Sequence, residues 1–244
     1  MESWGVTDSG KVRQHNQDVY KMLLDEENGT AILVVCDGMG GANAGNVASE
    51  LAANTFTDHI IEHIGDFKNL RGIARVLKDA VLEANKAVFE RSLDDVEFTG
   101  MGTTLTAAVS TGNGEVVASI GDSRLYHITP GGIIQITKDH SVVEDMVDRG
   151  EISRSEARKH PRKNLITRAI GTSIYEKPDI FYLNLKSDEF ILLCSDGLSN
   201  VVTDDEILQE LQRDNTVRES CKALVDTALT RGAPDNVTAV IFKK

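Results

Sequence analysis

The stretch ILVVCDG at residues 32–38 decides how the fold of this 244-residue chain is interpreted. Its five consecutive apolar residues, several of them β-branched, are typical of a buried β-strand, and this strand ends in Asp-Gly. The same pattern returns as ILLCSDG at residues 191–197. Two buried strands that each end in a carboxylate predict a β core with acidic side chains at its edge.

Other apolar runs of strand length surround these two, and the turns at 111–114, 130–132 and 186–188 predict hairpins between consecutive strands. Helical periodicity comes in consecutive pairs of segments, which disfavours a doubly wound parallel sheet. The sequence therefore predicts an α+β fold: a central antiparallel β-sandwich flanked by pairs of helices on both sides, in four layers ordered αββα. The predicted strands are 30–36, 103–110, 115–120, 124–129, 133–137, 180–185, 190–194 and 236–242, and the predicted helices are 46–64, 70–92, 204–212 and 217–230.

Composition limits the classes of protein to which this chain can belong. Acidic residues outnumber basic ones by 38 to 26, and the net charge of −12 argues against a nucleic-acid partner. The sequence has neither a signal peptide nor an apolar run of about 18 residues, so we expect a cytoplasmic protein without a membrane anchor. No linker divides the chain, which predicts a single domain over 1–244. The long charged connection at 141–168 is predicted to be a functional flap.

Four acids lie at the ends of predicted strands: Asp37, Asp122, Asp196 and Asp235. Any one of them alone is better explained as a turn residue, because Asp and Gly are common in turns. Gathered at one end of a sandwich, however, they would repel one another unless cations neutralised them, and hard divalent ions prefer such oxygen ligands. Gly38 would let its own carbonyl approach an ion, because glycine has no Cβ. A phosphate-binding P-loop is excluded, since Gly40 and Gly41 are not followed by the Gly-Lys-Ser/Thr that ends such a loop.

Six short motifs follow one another along the chain: RQHNQD at 13–18, DGMGG at 37–41, GTT at 102–104, GDSR at 121–124, SDGL at 195–198 and DNVT at 235–238. This ordered set resembles that of the metal-dependent PPM phosphatases, the type 2C serine/threonine phosphatases. The resemblance covers nearly the whole chain and is strongest to the compact bacterial members. It implies a β-sandwich flanked by helices, in agreement with the fold predicted above, with a dinuclear Mn²⁺ or Mg²⁺ site at one end of the sandwich.

The resemblance also implies a role for each of the four acids. Asp37 resembles the acid that bridges both metals, and Gly38 resembles the residue that gives one of them a carbonyl ligand. Asp196 and Asp235 resemble the acids that complete the other metal site. Asp122 resembles the acid that, together with Asp196, holds a third and weaker metal in bacterial members.

Two residues near the N-terminus gain catalytic roles through the resemblance. Arg13 resembles the guanidinium that grips the substrate phosphate, a task that suits its planar set of donors. Asp18 resembles an outer-shell carboxylate that orients metal-bound water. Without the motif, both would be interpreted as surface residues.

The activity implied is the hydrolysis of phosphoserine and phosphothreonine in proteins by a metal-activated water, without a covalent phosphoenzyme. The resemblance further implies phosphoprotein substrates, an opposing Ser/Thr kinase and a monomeric enzyme. Two alternatives remain open: a non-catalytic regulatory module of the same fold, and a phosphatase of small phosphate esters. A cysteine-based mechanism is disfavoured, because Cys36 and Cys194 lie in apolar runs.

Three positions depart from the family pattern. Gln17 stands where many members carry Glu, which predicts a weaker outer shell around the metals. Ala42 replaces a His found in bacterial relatives, and Met39 replaces the eukaryotic His thought to protonate the leaving group. The general acid is therefore open, and His140 and His160, in or beside the flap, are assigned no role.

Overall fold

The computed structural model of the chain describes residues 1–41 and 44–244. The strands within these residues, in chain order, are β1 (Glu2–Asp8), β2 (Asp18–Asp25), β3 (Thr30–Met39), β4 (Gly102–Thr103), β5 (Leu105–Thr111), β6 (Gly114–Ile120), β7 (Arg124–Thr129), β8 (Gly132–Gln135), β9 (Asp179–Leu183), β10 (Phe190–Cys194) and β11 (Val237–Lys243). The α-helices are α1 (Ala44–Glu62), α2 (Leu70–Asp94), α3 (Val142–Asp148), α4 (Arg154–Ala157), α5 (Asp196–Ser199), α6 (Asp204–Leu211) and α7 (Val217–Thr230).

The strands form two antiparallel sheets. One sheet has the order β1-β11-β10-β7-β8, and the other has the order β2-β3-β5-β6-β9, with the short strand β4 paired to β3. Leu33 from the second sheet and Leu193 and Val240 from the first meet in a fully buried core between the sheets. The two long apolar strands that the sequence singled out, β3 and β10, therefore face each other across the sandwich.

Helices cover the outer face of each sheet. Phe56 of α1 and Leu77 of α2 are buried against the β2–β9 sheet, while Ile207 of α6 and Leu224 of α7 are buried against the β1–β8 sheet. Capping boxes at Thr203 and Thr216 fix where α6 and α7 begin, because each threonine and the glutamate three residues later satisfy otherwise unpaired N–H groups. The four layers are ordered αββα, which confirms the fold predicted from the sequence.

The strands β1 and β2 were not predicted. Both lie at the edge of a sheet and are only partly buried, so neither shows the continuous apolar run of a central strand. The hairpin predicted at 186–188 is wrong, because β9 and β10 on either side of this turn belong to different sheets. The turn is closed by Glu189, whose N–H donates to the carbonyl of Lys186 at 3.1 Å, and the chain crosses the core beside the buried Leu185.

The segment 141–168, predicted as a flap, contains the short helices α3 and α4. Its ends are tied together, because the N–H of Val142 donates to the carbonyl of Leu165 and the N–H of Thr167 donates to the carbonyl of His140. Within the described residues, every helix is too short or too polar to cross a lipid bilayer.

Candidate metal centre

Strand order brings the predicted acids to one edge of the sandwich. Asp37 lies near the end of β3, directly opposite Asp18 at the start of the antiparallel neighbour β2. Asp196 begins α5 just after β10, and Asp235 lies just before β11, the antiparallel neighbour of β10. In antiparallel pairs, one strand ends where its partner begins, so these four acids converge from two sheets. Asp122 joins them from the turn after β6.

One cavity of about 220 Å³ is lined by Asp37, Asp122, Asp196 and Asp235. Every predicted metal ligand reaches this cavity, and so does the predicted phosphate-binding residue Arg13. Asn164 and Ile166 of the flap form part of its wall, a contribution that the sequence did not predict. The lining residues are Arg13, Gln17, Asp37, Gly38, Met39, Gly40, Thr104, Asp122, Asn164, Ile166, Asp196 and Asp235.

The backbone at Asp37 and Gly38 is fixed by its neighbours. The N–H of Asp37 donates to the Thr104 hydroxyl at 2.9 Å, and the Thr103 hydroxyl donates to the Asp37 carbonyl at 3.0 Å. A Cβ at Gly38 would lie 2.1 Å from the carbonyl oxygen of Gly45, so only glycine fits there. This close approach of α1 to β3 explains the glycine that follows the strand-end acid.

Asp235 and Asp196 have polar partners at the cavity. Arg13 donates from Nη2 to the Asp235 carboxylate at 2.8 Å, and its side chain is 56% exposed. This hydrogen bond is the main reason that the pKa of Arg13 is raised. The Asn200 amide donates to Asp196 at 3.0 Å. Arg13 thus stands at the mouth of the cavity with its guanidinium over the acids.

Asp18 lies behind the cavity and is only 5% exposed, so the surface interpretation of this residue is wrong. Its Oδ2 accepts hydrogen bonds from the Ser195 and Thr238 hydroxyls, both at 2.7 Å. Its Oδ1 is buried and has no hydrogen-bond partner among the described residues. An unpartnered buried carboxylate oxygen costs free energy and indicates a place for a donor such as water.

Burial and mutual repulsion raise the pKa values of Asp18, Asp37, Asp122 and Asp196. Burial raises the pKa of Asp18 to about 7, against an opposing effect of its two hydroxyl donors. Burial, followed by the charge of Asp235, raises the pKa of Asp196 to about 6. Burial and the neighbouring carboxylates hold the pKa of Asp37 well above its usual range, and burial and Asp196 do the same for Asp122. The cluster therefore resists carrying its full negative charge unless positive charge is supplied.

The donor set fits hard divalent cations. Its ligands are carboxylate and carbonyl oxygens, which Mg²⁺ and Mn²⁺ prefer. The described residues contain no group of three or more His, Cys, Asp or Glu side chains arranged to hold one ion.

Comparisons with known proteins place this geometry in a family. The family profile described as Protein phosphatase 2C matches residues 9–239. The chain belongs to the protein phosphatase 2C family. This confirms the family predicted from the sequence motifs.

Relatives of this phosphatase family match the chain along its whole length. A serine/threonine phosphatase, stp, of Listeria monocytogenes is 35% identical over 238 residues, which cover 98% of this chain and 94% of the relative. The structure of the serine/threonine phosphatase of S. agalactiae matches with a TM-score of 0.92 and 31% identity, covering 100% of this chain and 99% of the other. The catalytic domain of the phosphatase PstP, in complex with two manganese ions, matches with a TM-score of 0.83 and 36% identity over 98% and 96%.

Three supporting residues of this 2C-family site were not assigned roles from the sequence, although they lie inside the quoted motifs. Ser195 and Thr238 supply the hydroxyls that hold Asp18. Asn236 ties down the loop that carries Arg13: its Oδ1 accepts from the N–H of Gln17, and its Nδ2 donates to the carbonyls of Ser9 and His15. In the sequence, the only indication of their role was that they lie in the same short motifs as Asp196 and Asp235.

Two of the three residues that depart from the family pattern, Gln17 and Met39, line the cavity. Gln17 lines the cavity, packs against Gly45 and donates its amide to the carbonyl of Gly41 at 3.3 Å, so a neutral side chain occupies this position. Met39 also lines the cavity and offers no proton donor there. Ala42 lies outside the described residues.

The two flap histidines stand apart from the cavity wall. Nδ1 of the buried His140 accepts from the N–H of Gly121 at 3.0 Å, and burial lowers its pKa, so the ring is neutral at pH 7. His160 accepts from the N–H of Arg162 at 3.2 Å. Neither histidine is among the cavity-lining residues of the described chain, which leaves the leaving-group donor unassigned.

The Ser195 hydroxyl allows a direct test of the support beneath the acids. We expect Ser195→Ala to weaken Mn²⁺ binding by roughly tenfold, since loss of an outer-shell partner typically costs 10–100-fold in metal affinity. Asp18 would lose one of its two donors, and its pKa would rise further. Mn²⁺ titration monitored by calorimetry provides the measurement.

Ser92→Ala is the matched control, because Ser92 is also buried and makes a 2.7 Å hydrogen bond, to the carbonyl of Phe89 on α2. Equal weakening of Mn²⁺ binding by both variants would contradict a specific role for Ser195.

Proposed function

We propose that this chain is a metal-dependent protein serine/threonine phosphatase that hydrolyses phosphoserine and phosphothreonine. Membership of the protein phosphatase 2C family and similarity over the whole chain to relatives named serine/threonine phosphatase support this enzyme class. The observation that carries the proposal is the single cavity lined by four strand-end carboxylates, with the exposed guanidinium of Arg13 at its mouth.

The proposed metal ligands are side chains and one carbonyl of that cavity. Asp37 would bridge two ions, Gly38 would give its carbonyl to one, and Asp196 and Asp235 would hold the other. Asp122, with Asp196, would hold a third ion more weakly. We propose Mn²⁺ or Mg²⁺ in these sites; a related phosphatase domain binds two manganese ions. When bound, such ions would lower the pKa of a water and so make it a stronger nucleophile toward phosphorus. The ions would also neutralise charge on the phosphoryl group.

The chain's own residues would position the substrate and the proton. Arg13, whose exposed guanidinium uses Nη2 to bind Asp235, would donate two parallel hydrogen bonds to the phosphoryl oxygens. Asp18 is buried beside the other acids, and its Oδ1, which has no partner among the described residues, would accept a proton or a hydrogen bond from a nearby water. Catalysis would therefore depend on Arg13, Asp18 and Asp37.

A cysteine nucleophile is disfavoured by the structure. Cys36, Cys194 and Cys221 are all buried, and burial raises the pKa of Cys194 to about 12. A thiol in such surroundings stays protonated at neutral pH and does not attack phosphorus. Water is thus the nucleophile that the site favours, and no covalent phosphoenzyme is needed.

We further propose that residues 1–244 form one domain, with the flap at 141–168 beside the active site. The substrates would be phosphoproteins made by an opposing Ser/Thr kinase in the cytoplasm, and the enzyme would act as a monomer. Neither nucleic acid nor a membrane is an expected partner. The chain's net charge of −12 supports the first of these exclusions.

The activity is tested with purified protein, Mn²⁺ and three substrates: a phosphothreonine peptide, a phosphotyrosine peptide and an aryl phosphate. We expect release of phosphate from the phosphothreonine peptide and from the aryl phosphate, and loss of both reactions with chelator. Turnover of the aryl phosphate alone would favour the alternative of a small-ester phosphatase. Failure to turn over any substrate with Mn²⁺ would sink the catalytic proposal and favour a regulatory module.

A further inference from the structure

The flap contains a strongly basic stretch in an otherwise acidic chain. Residues 154–163, RSEARKHPRK, hold five Lys or Arg residues and one Glu, whereas the chain as a whole has a net charge of −12. We call Arg158, Lys159, Arg162 and Lys163 the basic strip. Its charge runs against that of the molecule, which makes it a candidate contact for an anionic partner.

Most of the basic strip is not neutralised by the protein itself. Arg158 pairs with Asp204 at 3.4 Å. Lys159 and Arg162 are exposed, and neither they nor Lys163 lie within 4.0 Å of a carboxylate oxygen in the described part of the chain. Lys159 and Arg162 are therefore available to a ligand, while the half-buried Lys163 also acts through its charge on Asp196.

The basic strip begins at the metal cavity. Asn164, the residue after Lys163, lines that cavity, and the Lys163 ammonium lies 3.5 Å from Asn200, which in turn donates to Asp196. From there the strip leads outward along the flap, where Arg162 packs beside Met146 of α3. A peptide with its phosphorylated residue in the cavity would meet Lys163 first and Arg162 and Lys159 further out.

A groove of about 670 Å³ runs between the flap and the segment 199–204, and it shares Asp122 and Asp196 with the metal cavity. The other carboxylates of this groove are already paired within the protein. The pairs are Arg124 with Asp139, Arg154 with Glu144, Lys138 with Asp148 and Arg158 with Asp204. Apart from Asp122 and Asp196, the groove therefore adds little net charge of its own, and among the described residues Lys163 of the strip is its one lining cation outside these pairs.

The acidic residues of the flap reduce this positive charge only in part. Glu151 pairs with Arg149, and Glu156 caps α4 through Ser153. Asp145 on α3 is exposed and lies next to Met146, the neighbour of Arg162. Glu156 bonds only to the neutral Ser153 and has no cationic partner in the described part of the chain, so two such carboxylates stand against three cations and leave the strip positive.

We propose that the basic strip selects phosphoprotein segments that carry further negative charge, either Asp, Glu or a second phosphate, on the side of the phosphoresidue that passes the flap. This inference rests on the proposed function, since the strip is defined by its position beside that site. Lys159 and Arg162 would act by long-range attraction and loose ion pairing. The selection would therefore appear in kcat/KM and weaken as salt increases.

The test compares phosphothreonine peptides of equal length whose flanking residues, on one side or the other, are either acidic or neutral. The full chain with Mn²⁺ is assayed as wild type, as Lys159→Glu with Arg162→Glu, and as Lys68→Glu with Lys222→Glu. Lys68 and Lys222 are exposed cations, in the connection before α2 and on α7. The control therefore makes the same change in net charge away from the flap.

For the wild type we expect kcat/KM to be roughly fivefold higher for the peptide that is acidic on one side, because two or three exposed ion pairs contribute about that much at low salt. The strip variant should lose this preference or reverse it, and the control variant should keep it.

Equal kcat/KM for acidic and neutral peptides in the wild type would overturn the inference and leave the proposed function standing. Equal loss in the control variant would also overturn it, because net charge would then explain the preference. Absence of turnover with every peptide and with an aryl phosphate would overturn the proposed function, and the inference with it.

Discussion

Replacement of Asp37 by Asn is expected to abolish Mn²⁺-dependent turnover and, in the presence of chelator, to raise the midpoint of thermal unfolding. Asp37 is the proposed bridging ligand, so its loss should lower kcat/KM at least about a hundredfold. Loss of a residue that only supports a ligand typically costs roughly 10–100-fold, and loss of the ligand itself should cost more. The gain in stability has a separate cause. Burial and the charges of Asp18, Asp196, Asp122 and Asp235 disfavour ionised Asp37 without a cation.

Asparagine is a suitable replacement because it keeps the shape of the side chain. The backbone of Asp37 remains bonded to Thr103 and Thr104, so β3 should keep its geometry. Phosphate release and thermal melts with either Mn²⁺ or chelator measure both effects on one preparation. Asp226→Asn, at an exposed position on α7, is the control for the change in net charge.

Two results would contradict this account. Full Mn²⁺-dependent activity in Asp37→Asn would show that Asp37 is not a metal ligand. A lower melting point in chelator, relative to both the wild type and Asp226→Asn, would show that the carboxylate stabilises the fold and that repulsion in the cluster is not the dominant effect.

The sequence predicted most of the fold because its central strands are almost entirely apolar. In β3 and β10 each apolar run could be assigned without knowledge of its partners, and the Asp-Gly at the end of each run fixed the edge at which the site lies. The family, the four-layer fold and the enzyme class predicted from the sequence are confirmed by the comparisons.

What the sequence could not predict depends on pairing between distant segments. Asp18 is buried only because β2 aligns with β3, and β2 has the mixed pattern of an edge strand. The turn at 186–188 looks like a hairpin, but local residues do not determine whether the next strand joins the same sheet. The roles of Ser195 and Thr238 likewise follow from their distances to Asp18, which only the folded chain defines.

The metal-free protein is expected to lose stability as the pH rises from about 4 to above 7. The pKa of Asp18 is about 7 and that of Asp196 about 6 in the folded chain, against a usual value of 3.8. Between these values the folded chain holds protons that the unfolded chain has already released. The free energy of unfolding must then fall with pH, because it falls wherever the folded state binds more protons.

The raised pKa of Asp18, beside Asp196 and Asp235, indicates the order of magnitude of this loss of stability. A pKa of about 7 in place of 3.8 corresponds to roughly 4 kcal/mol when the group is fully ionised, at 1.36 kcal/mol for each pKa unit. In a chain of this length, that amounts to a change in Tm on the order of 10 °C. This loss of stability is fully present above pH 7 and absent near pH 4.

Asp18→Asn separates this effect from the general repulsion of a chain with a net charge of −12. The asparagine oxygen still accepts from the Ser195 and Thr238 hydroxyls, but the side chain no longer titrates. In chelator, the wild type and the variant should melt at similar temperatures at pH 4, and the variant should melt higher at pH 8, because the Asp18 penalty grows from pH 4 to pH 7. Parallel melting curves across this pH range would show that Asp18 has an ordinary pKa.

Added Mn²⁺ should reverse the trend, because a cation and protons compete for the same carboxylates. At pH 5 Asp18 and Asp196 hold protons, because their pKa values are about 7 and about 6, and Mn²⁺ should raise the Tm of the wild type only slightly. At pH 8 these two carboxylates have released their protons, so the ion removes more repulsion and the rise in Tm should be largest. A rise that is equal at both pH values would mean that Mn²⁺ binds away from Asp37, Asp196 and their neighbours, and the proposed metal centre would then be wrong.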